Sequence, residues 1–570
     1  MARRPRPRFP WPSPGSQDAD TRSGLDSGQY ARGVEVGEVQ DRGMASVEPA
    51  ADNNPTFGVE QHGFDFIPET ERKMTLRDLA YVWWGANAYL FFFSVGVIAF
   101  SLGLNVWEAL LAVVVGNALF GYVACGSIAG VRSGLPTMTL TRAAFGVQGN
   151  RLNGVLAWLT SVGFEALNTA FGVFAVAALL PVLGWHNGAT AGKIVALVVV
   201  FFLSALVAVL GHATMVWVQR VFAIMISLVL VLVFFYTVGG VNWSAGPAHP
   251  LSTAATVGAF LAGAAVVASG PLSYMFNCSD WPRYLPSRTP SRSIIWTVMS
   301  SNLGIVLLLG FMGVILSTQG DMSNPVAGLT SLIPRWLFIL YAIAAVGGAV
   351  ANNVVAFYAS GLTLQSVGVP LRRYQATMLD TSVSTILVIY IVFISSSFLT
   401  DVNDFLSLLL IWIGPFAGVW LVDGTLRRWL YDPVDIHTIG AGSRYWGWKG
   451  INVKGFVAML AGAAVCALTI DSPRLHGSIS KTLHGADLTW ILGPVVAGAV
   501  YFTLARSRSA RARASGQRIS GRRLRWAKRP QSRKARFRAT GYPGWRRASR
   551  SSMWALCDRA PDDMTGVRRS

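Results

Sequence analysis

Glu165 and Asn168 are the side chains best equipped for chemistry, and both sit inside an apolar stretch, Ser161–Gly172, where hydrocarbon is expected. A polar or ionisable group at membrane depth costs at least ~2.5 kcal/mol on insertion scales, so it is kept where something polar binds or passes. Phe164 and Asn168 are four residues apart. On a helix they share one face, setting an aromatic plane beside a paired donor and acceptor. That pairing suits a flat, polar ring. The alternative role for Asn168 is an interhelical hydrogen bond, worth about 0.6 to 2 kcal/mol. A second long apolar run carries Asn352 and Asn353 side by side. Asn353 is the expected partner of Asn168, and Asn352, pointing about 100° away, is the expected bond to a neighbour. Glu165 is the candidate carrier of a proton, because desolvation favours the neutral carboxyl and lets it alternate between forms; its structural alternative is a bond to the next helix.

The elements that must position these groups are membrane helices. The chain has 570 residues, 52% hydrophobic and 13% charged, with a mean hydropathy of +0.44, more apolar surface than a water-soluble domain can hide. From Leu76 onward, runs of about 20 apolar residues recur, each enough for a ~30 Å hydrocarbon core. The spacing predicts twelve spans, near 77–103, 105–128, 151–183, 191–210, 213–240, 255–283, 293–317, 329–366, 376–397, 402–424, 453–470 and 487–505. Basic residues cluster in alternate loops (Arg132, Arg142 and Arg151; Arg283, Arg288 and Arg292; Arg372 and Arg373; Arg427 and Arg428), whereas Asp321, Asp401 and Asp404 mark the others. By the positive-inside rule both termini are cytoplasmic and the protein is multi-pass in the cell membrane. Asp380 and Asp423 fall at predicted membrane edges, where a solvated charge is expected.

Two spans carry helix breakers. Gly85-Ala86-Asn87 interrupts the first, and Ser269-Gly270-Pro271 the sixth. In lipid, the backbone groups freed at a break need a protein, ligand or ion partner. Breaks at corresponding places of two five-helix halves point to an inverted-repeat transporter with a midplane site. The organisation that follows is an all-α polytopic membrane protein. Its parts are a disordered cytoplasmic segment over 1–73, halves over 74–250 and 251–426, a loop with two further helices over 427–505, and a basic tail over 506–570.

The net charge of +20 does not point to a nucleic-acid-binding body, because the tail from Arg506 holds twenty Lys/Arg against three Asp, +17 of the total. The tail suits anionic lipid headgroups at about 1 kcal/mol per nearby basic residue; nonspecific nucleic-acid binding and a shifted reading frame are the other readings. Arg3-Arg4 lead into no apolar core, so no cleaved or twin-arginine signal is expected, and Met44 is an alternative start. The four cysteines have no metal-ligand spacing. The glycines form no Walker loop, no HExxH is present, and no serine sits in a nucleophile elbow. An enzyme would need a cluster of His, Asp or Cys at one face, and a channel a carbonyl filter or rings of like charge. The expectation is a transporter with a small-molecule substrate and without cofactor, metal or obligate protein partner.

Five motifs carry a resemblance: Ile67-Pro68-Glu69-Thr70-Glu71-Arg72-Lys73-Met74-Thr75, Trp83-Trp84-Gly85-Ala86-Asn87, Arg132-Ser133-Gly134-Leu135-Pro136-Thr137-Met138, Arg142-Ala143-Ala144-Phe145-Gly146 and Asp280-Trp281-Pro282-Arg283-Tyr284-Leu285-Pro286. In their order they resemble the nucleobase:cation symporter-1 family, and within it the purine-cytosine permeases, from about Ile67 to the twelfth span. The resemblance implies a leucine-transporter-like 5+5 inverted repeat plus two C-terminal helices, alternating access, and import of a nucleobase (cytosine or purine) with a cation. It implies that Phe164 stacks on the ring where relatives often have Trp, that Asn168 and Asn353 read its edge with Asn352 as neighbour, and that Gly85, Asn87, Ser269, Gly270 and Pro271 complete the site. Relatives have a hydroxylic residue in place of Gly85 and a proline in place of Val355. Sodium-coupled relatives supply a Ser-Thr pair where this chain has Gly347-Gly348, which leaves only backbone carbonyls for a hard cation. Proton coupling is therefore expected over sodium, with Glu165 as carrier, and Asp280 with Arg283 as a gate or structural pair. Allantoin, hydantoin, a nucleoside or a vitamin is the alternative substrate, and a polytopic membrane enzyme the alternative outside transport.

Overall fold

The computed structural model describes residues 66–185, 188–209, 212–247, 249–368 and 373–514. The chain divides into units Met1–Ser507 and Arg508–Ser570, and the architecture below is that of the first. The expected unstructured stretch up to residue 65 and the tail beyond residue 514 lie outside the described residues.

The longer helices, in order, are α1 (Leu76–Asn87), α2 (Leu90–Ser101), α3 (Val106–Asn117), α4 (Phe120–Ser133), α5 (Asn150–Val182), α6 (Ala189–Val209), α7 (His212–Thr237), α8 (Thr253–Ser273), α9 (Ser291–Leu316), α10 (Arg335–Val367), α11 (Arg373–Ile389), α12 (Phe398–Arg427), α13 (Val453–Thr469) and α14 (Thr489–Ala514). Two starts are set by local chemistry. Thr75 with Asp78 and Asn105 with Glu108 form reciprocal capping boxes that satisfy the first orphan N–H groups of α1 and α3. Among the described residues, eight helical stretches are long and apolar enough to cross a membrane, with α3 and α4 counted as one over Val106–Ser133, or nine if the bent pair α1 and α2 is one span; shorter apolar helices run over Ala189–Ser204, Met378–Ile394 and Val453–Thr469. Outward faces carry exposed apolar side chains such as Leu228, Phe235 and Ile386, which water would penalise and lipid accepts.

At the centre, α5 and α10 pack along one another, flanked by α7 on α10, α11 on α5, and the pairs α2 with α9 and α3 with α8. The first break falls just after the expected residues. α1 continues through Asn87, and the chain turns 53° at Ala88 and Tyr89, where Tyr89 is extended. The sixth span differs more. α8 runs unbroken through Ser269, Gly270 and Pro271 to Ser273, and the helix gives way to a 3-10 turn at Tyr274–Phe276. A proline deletes one donor and crowds one carbonyl, a cost that packing on α2 and α3 offsets. The chain stops being helical only where Asn277 leaves the α region at φ −135°.

Residues 66–73, expected to extend an unstructured segment, are packed down. Ile67 is buried, and the buried Arg72 donates to the carbonyls of Ile67 and Val131 at 2.9 Å each. Asp423, expected to be solvated, is buried as well: Arg427 Nε donates to both its oxygens at 2.9 Å, and the hydroxyls of Tyr431 and Tyr501 donate at 3.1 and 2.7 Å. The charge is paid off locally, tying α12 to α14. Asp423→Ala is expected to destabilise the protein by about 3 kcal/mol, because it removes the shared acceptor of the partly exposed Arg427 guanidinium and of two buried tyrosine hydroxyls. Tyr501→Phe is expected to cost only about 1 kcal/mol. Melting temperatures of detergent-solubilised protein check the order; equal losses would contradict the charge argument.

Candidate functional site

A cavity of ≈ 40 Å³ lies between α5, α10 and the two breaks. Phe164 lines it from α5, Tyr89 from the first break, Tyr274 and Asn277 from the second, and Asn352 and Val355 from α10. That volume takes a few waters, while small-molecule pockets run to about 300–1,000 Å³, so a small-molecule ligand enters only as the surrounding helices move apart.

Asn352 is the hub. Its Oδ1 accepts from Asn168 Nδ2 at 2.5 Å, and its Nδ2 donates to the Ala86 carbonyl and, at 3.4 Å, to Tyr274 Oη. Tyr274 Oη also donates to the Ala86 carbonyl at 3.3 Å. The carbonyl of Ala86, two residues before the bend, is thereby held by side chains from α10 and the second break. Phe164 stands edge-on between Phe91 and Phe405, with centroids at 5.4 and 5.6 Å. Among the acceptors without a partner in the described residues are Asn168 Oδ1 and Asn277 Oδ1; Asn277 lines the cavity, whereas Asn168 lies outside the lining and reaches it through Asn352.

The structure reverses the paired asparagines of α10. Asn352 reaches the cavity, whereas Asn353 points between α5 and α6, donating to Thr169 Oγ1 at 2.9 Å and Ser204 Oγ at 3.2 Å. The 100° separation was right, and only packing could say which of the two faced inward. Asn87 also turns elsewhere, donating to Trp83 O at 2.8 Å and to Asn302 Oδ1 on α9 at 2.6 Å. Gly85 lies against Gln219 of α7, whose carbonyl oxygen is 2.8 Å from where a Cβ would stand. Ser269 bonds back to Val266 O within its helix, and Gly270 lies under Phe92, 2.8 Å from a notional Cβ. Neither they nor Pro271 line the cavity, whose wall on this side is supplied by Ser273, Tyr274, Phe276 and Asn277.

Gly347 packs on the ring of Phe222, and Gly348 on Ala88 O and Tyr89, 2.5 and 3.3 Å from a notional Cβ. Neither carries a side-chain oxygen toward the break. Glu165 is completely buried on a different face of α5 from Phe164, and neither of its oxygens has a hydrogen-bond partner among the described residues. Its neighbours are Ser360 of α10 and Asp380 of α11. Asp380, expected at a solvated edge, is itself buried and accepts from Trp158 Nε1 and Ser360 Oγ. The available signal was its polar neighbour at i+4, Ser384, which lies on the same face of the helix and is buried with it. Tyr89 and Tyr274 were also missed; each stands at the structural break, two or three residues beyond the breakers Asn87 and Pro271 that the sequence marks.

Asp280 lies beyond the membrane-spanning part of α8. It accepts from Thr137 N and Oγ1 at 2.8 and 2.9 Å, anchoring the short helix Thr137–Leu140 to the end of the sixth span. Burial pushes its carboxyl up to about 6, against the Thr137 bonds and the nearby Arg283, which favour the anion. Arg283 is fully buried, and its guanidinium donates to Tyr284 Oη at 3.2 Å. The two are close enough to interact, but the bonds to Thr137 give Asp280 a positioning task.

Residues 66–493 match the sequence profile described as permease for cytosine/purines, uracil, thiamine, allantoin. The chain belongs to this permease family. It is 23% identical over 465 residues to the putative purine-cytosine permease YxlA of Bacillus subtilis, covering 79% of this chain and 96% of the relative. To the allantoin permease of the same organism it is 24% identical over 478 residues, 78% and 92% of the two chains, and to the purine-cytosine permease FCY21 of Saccharomyces cerevisiae 23% identical, 78% and 86%. Among solved structures, the nucleobase-cation-symport-1 transporter Mhp1, closed with bromovinylhydantoin bound, superposes with a TM-score of 0.63 at 15% identity over 81% of this chain and 97% of that one. Its inward-facing form gives 0.61 at 16% identity, over 80% and 96%. The chain is therefore a polytopic membrane permease of the purine-cytosine branch and not an enzyme, with the fold of Mhp1.

In this permease the family departure at Val355 falls on the cavity wall, and the one at Gly85 falls outside it, where α1 packs against α7. Asn352→Ala is expected to leave Asn168 Nδ2 unpaired and the Ala86 carbonyl held by Tyr274 alone, costing about 1–3 kcal/mol of stability and weakening ligand binding. Asn353→Ala is expected to spare binding. Ligand-induced shifts in melting temperature compare the two, and equal loss would remove the distinction.

Asp280 makes a separate prediction. Its folded carboxyl keeps a proton up to about pH 6, while the unfolded chain releases it near ~3.9. The folded state thus binds the extra proton between those values, and this contribution to stability is lost as pH rises through that window. Asp280→Asn keeps the Oδ1 acceptor and lacks the ionisation. Its melting temperature relative to wild type is expected to climb from about pH 4 to pH 6 and level off above; a flat difference would contradict the assignment.

Proposed function

We propose that this permease is a secondary active transporter that imports a nucleobase, cytosine or a purine, across the cell membrane with a proton. Residues 74–250 and 251–426 act as two inverted five-span repeats that rock around the cavity, with two more spans in 427–505. Both termini face the cytoplasm, on the reading that the arginine-rich loops stay inside. The observation that carries the proposal is the Asn168–Asn352 amide pair held beside Phe164 where two broken spans meet. An amide offers donor and acceptor together, matching the adjacent N–H and C=O groups of a nucleobase edge, and an aromatic ring covers the face. Asn168 Oδ1 and Asn277 Oδ1 are acceptors for ring N–H groups once the cavity widens. Glycine at 347 and 348 favours a proton over sodium, since a small hard cation wants several oxygens and no side chain supplies one there.

A second reading, allantoin or another amide-edged heterocycle, is favoured by the similarity to an allantoin permease and by Val355 on the cavity wall. Uptake of labelled cytosine, adenine, hypoxanthine and allantoin into proteoliposomes under a proton or a sodium gradient separates the readings. Proton-driven accumulation of one base, reduced at least about tenfold in Asn168→Ala, is the expected result, since losing a paired polar contact costs about 1.5 kcal/mol or more. Accumulation of allantoin alone moves the substrate to the second reading. Undiminished transport by Asn168→Ala would overturn the site.

A further inference from the structure

We propose that Glu165, Ser360 and Asp380 form one buried proton relay, in which a single exchangeable proton is shared by two carboxylates on neighbouring helices. The inference rests on the proton-coupled reading above and names the site that holds the proton.

Both carboxylates are completely buried. Asp380 has two donors, the Trp158 indole and the Ser360 hydroxyl, and is thereby equipped to be the anion. Glu165 has none: both its oxygens are unpartnered among the described residues, yet the side chain lies beside Ser360 and within electrostatic reach of Asp380. An ionised carboxylate so placed is prohibitively costly, and two like charges in one dry pocket more so. A protonated Glu165 resolves this, because its O–H becomes a donor and the Ser360 oxygen can accept it. The order is then Glu165 O–H to Ser360 Oγ, Ser360 O–H to Asp380 Oδ2, with Trp158 N–H closing the far side.

No cation competes for either carboxylate among the described side chains. Four helices pack at this place, α5, α6, α10 and α11. Of their basic residues, Arg151 lies against Gly368 at the α5 start, Arg335 donates to Val182 O at the opposite end, and Lys193 donates to Val392 O. The side chain of Arg373 lies outside the described residues.

The hydroxyl of Ser360 has a second acceptor, Phe357 O at 3.2 Å in its own helix, so it can turn between two partners. When Glu165 gives its proton to Ser360 Oγ and Ser360 passes its own to Asp380 Oδ2, one proton has moved between α5 and α11 and no other bond has changed. Phe164 and Ala359, the sequence neighbours of Glu165 and Ser360, line the cavity. The same two helices therefore carry the ligand on one face and the proton on the next, and a shift of α5 against α10 alters both.

Counterflow exchange of substrate at equal pH and pH-gradient-driven accumulation, measured in proteoliposomes for wild type, Glu165→Gln, Asp380→Asn and Ser360→Ala, test the relay. Gln and Asn imitate a carboxyl that never releases its proton, so counterflow is expected to persist and gradient-driven accumulation to be lost; Ser360→Ala is expected to slow accumulation at unchanged counterflow. If wild type itself fails to accumulate on a pH gradient, the proton-coupled reading fails. If wild type accumulates and Asp380→Asn does so equally, the relay is overturned while that reading stands. Should the carboxylate variants lose counterflow too, Ser360→Ala decides: slowed accumulation supports the relay, and wild-type accumulation assigns the pair to the fold and overturns it.

Discussion

A helix that breaks inside a membrane must find partners for the backbone groups it releases, and in this permease one amide of a distant helix meets part of that demand and joins both breaks. The Asn352 amide holds the Ala86 carbonyl next to the bend in the first span, the Asn168 amide of α5 and the Tyr274 hydroxyl of the second break. Hydrocarbon offers no alternative partner, so these bonds tie together the four segments that meet there. The cavity beside Asn352 is what remains when four chain segments converge without filling the space between two breaks.

That convergence depends on small residues. Gly348 lets Ala88 and Tyr89 approach α10, and Gly270 lets the Phe91–Phe92 pair lie against α8. Without side chains between them, the first break and α10 move as close neighbours, and a displacement of either is felt by Asn352. The same glycines leave the break without hydroxyl oxygens, so close packing there comes at the expense of a ready cation site. The ionisable side chains lie instead on the other face of α5, where Glu165 meets Ser360 and Asp380.

The buried carboxylates show three solutions to one problem, the high free energy of a charge away from water. Asp423 is neutralised by Arg427 and two tyrosine hydroxyls, and serves to join α12 to α14. Asp280 takes a backbone and a hydroxyl donor from Thr137 near Arg283, and anchors a short helix. Glu165 and Asp380 have donors for only one of the two and no described cation. The first two arrangements are complete as they stand; the third is balanced only with a proton.

Much of this was legible in the order of the residues. Apolar runs of membrane length, the motifs from Ile67 to Pro286, and polar residues placed where they are expensive identify the fold and the family without coordinates, because lipid lets few sequences survive and each exception needs a reason. Phe164 and Asn168 on one face follow from helical spacing alone. What sequence leaves open is rotation and company. Asn352 and Asn353 are chemically identical, and their roles were decided by how α10 turns against α5. Pro271 reads as a break, yet neighbouring helices carried the helix past it. Asp380 reads as an edge charge, and became an interior one because α11 lies against α5 and α10. Periodicity fixes which side chains share a face, but which face is buried, and beside what, is settled by packing between segments up to about two hundred residues apart, as with Asn168 and Asn352.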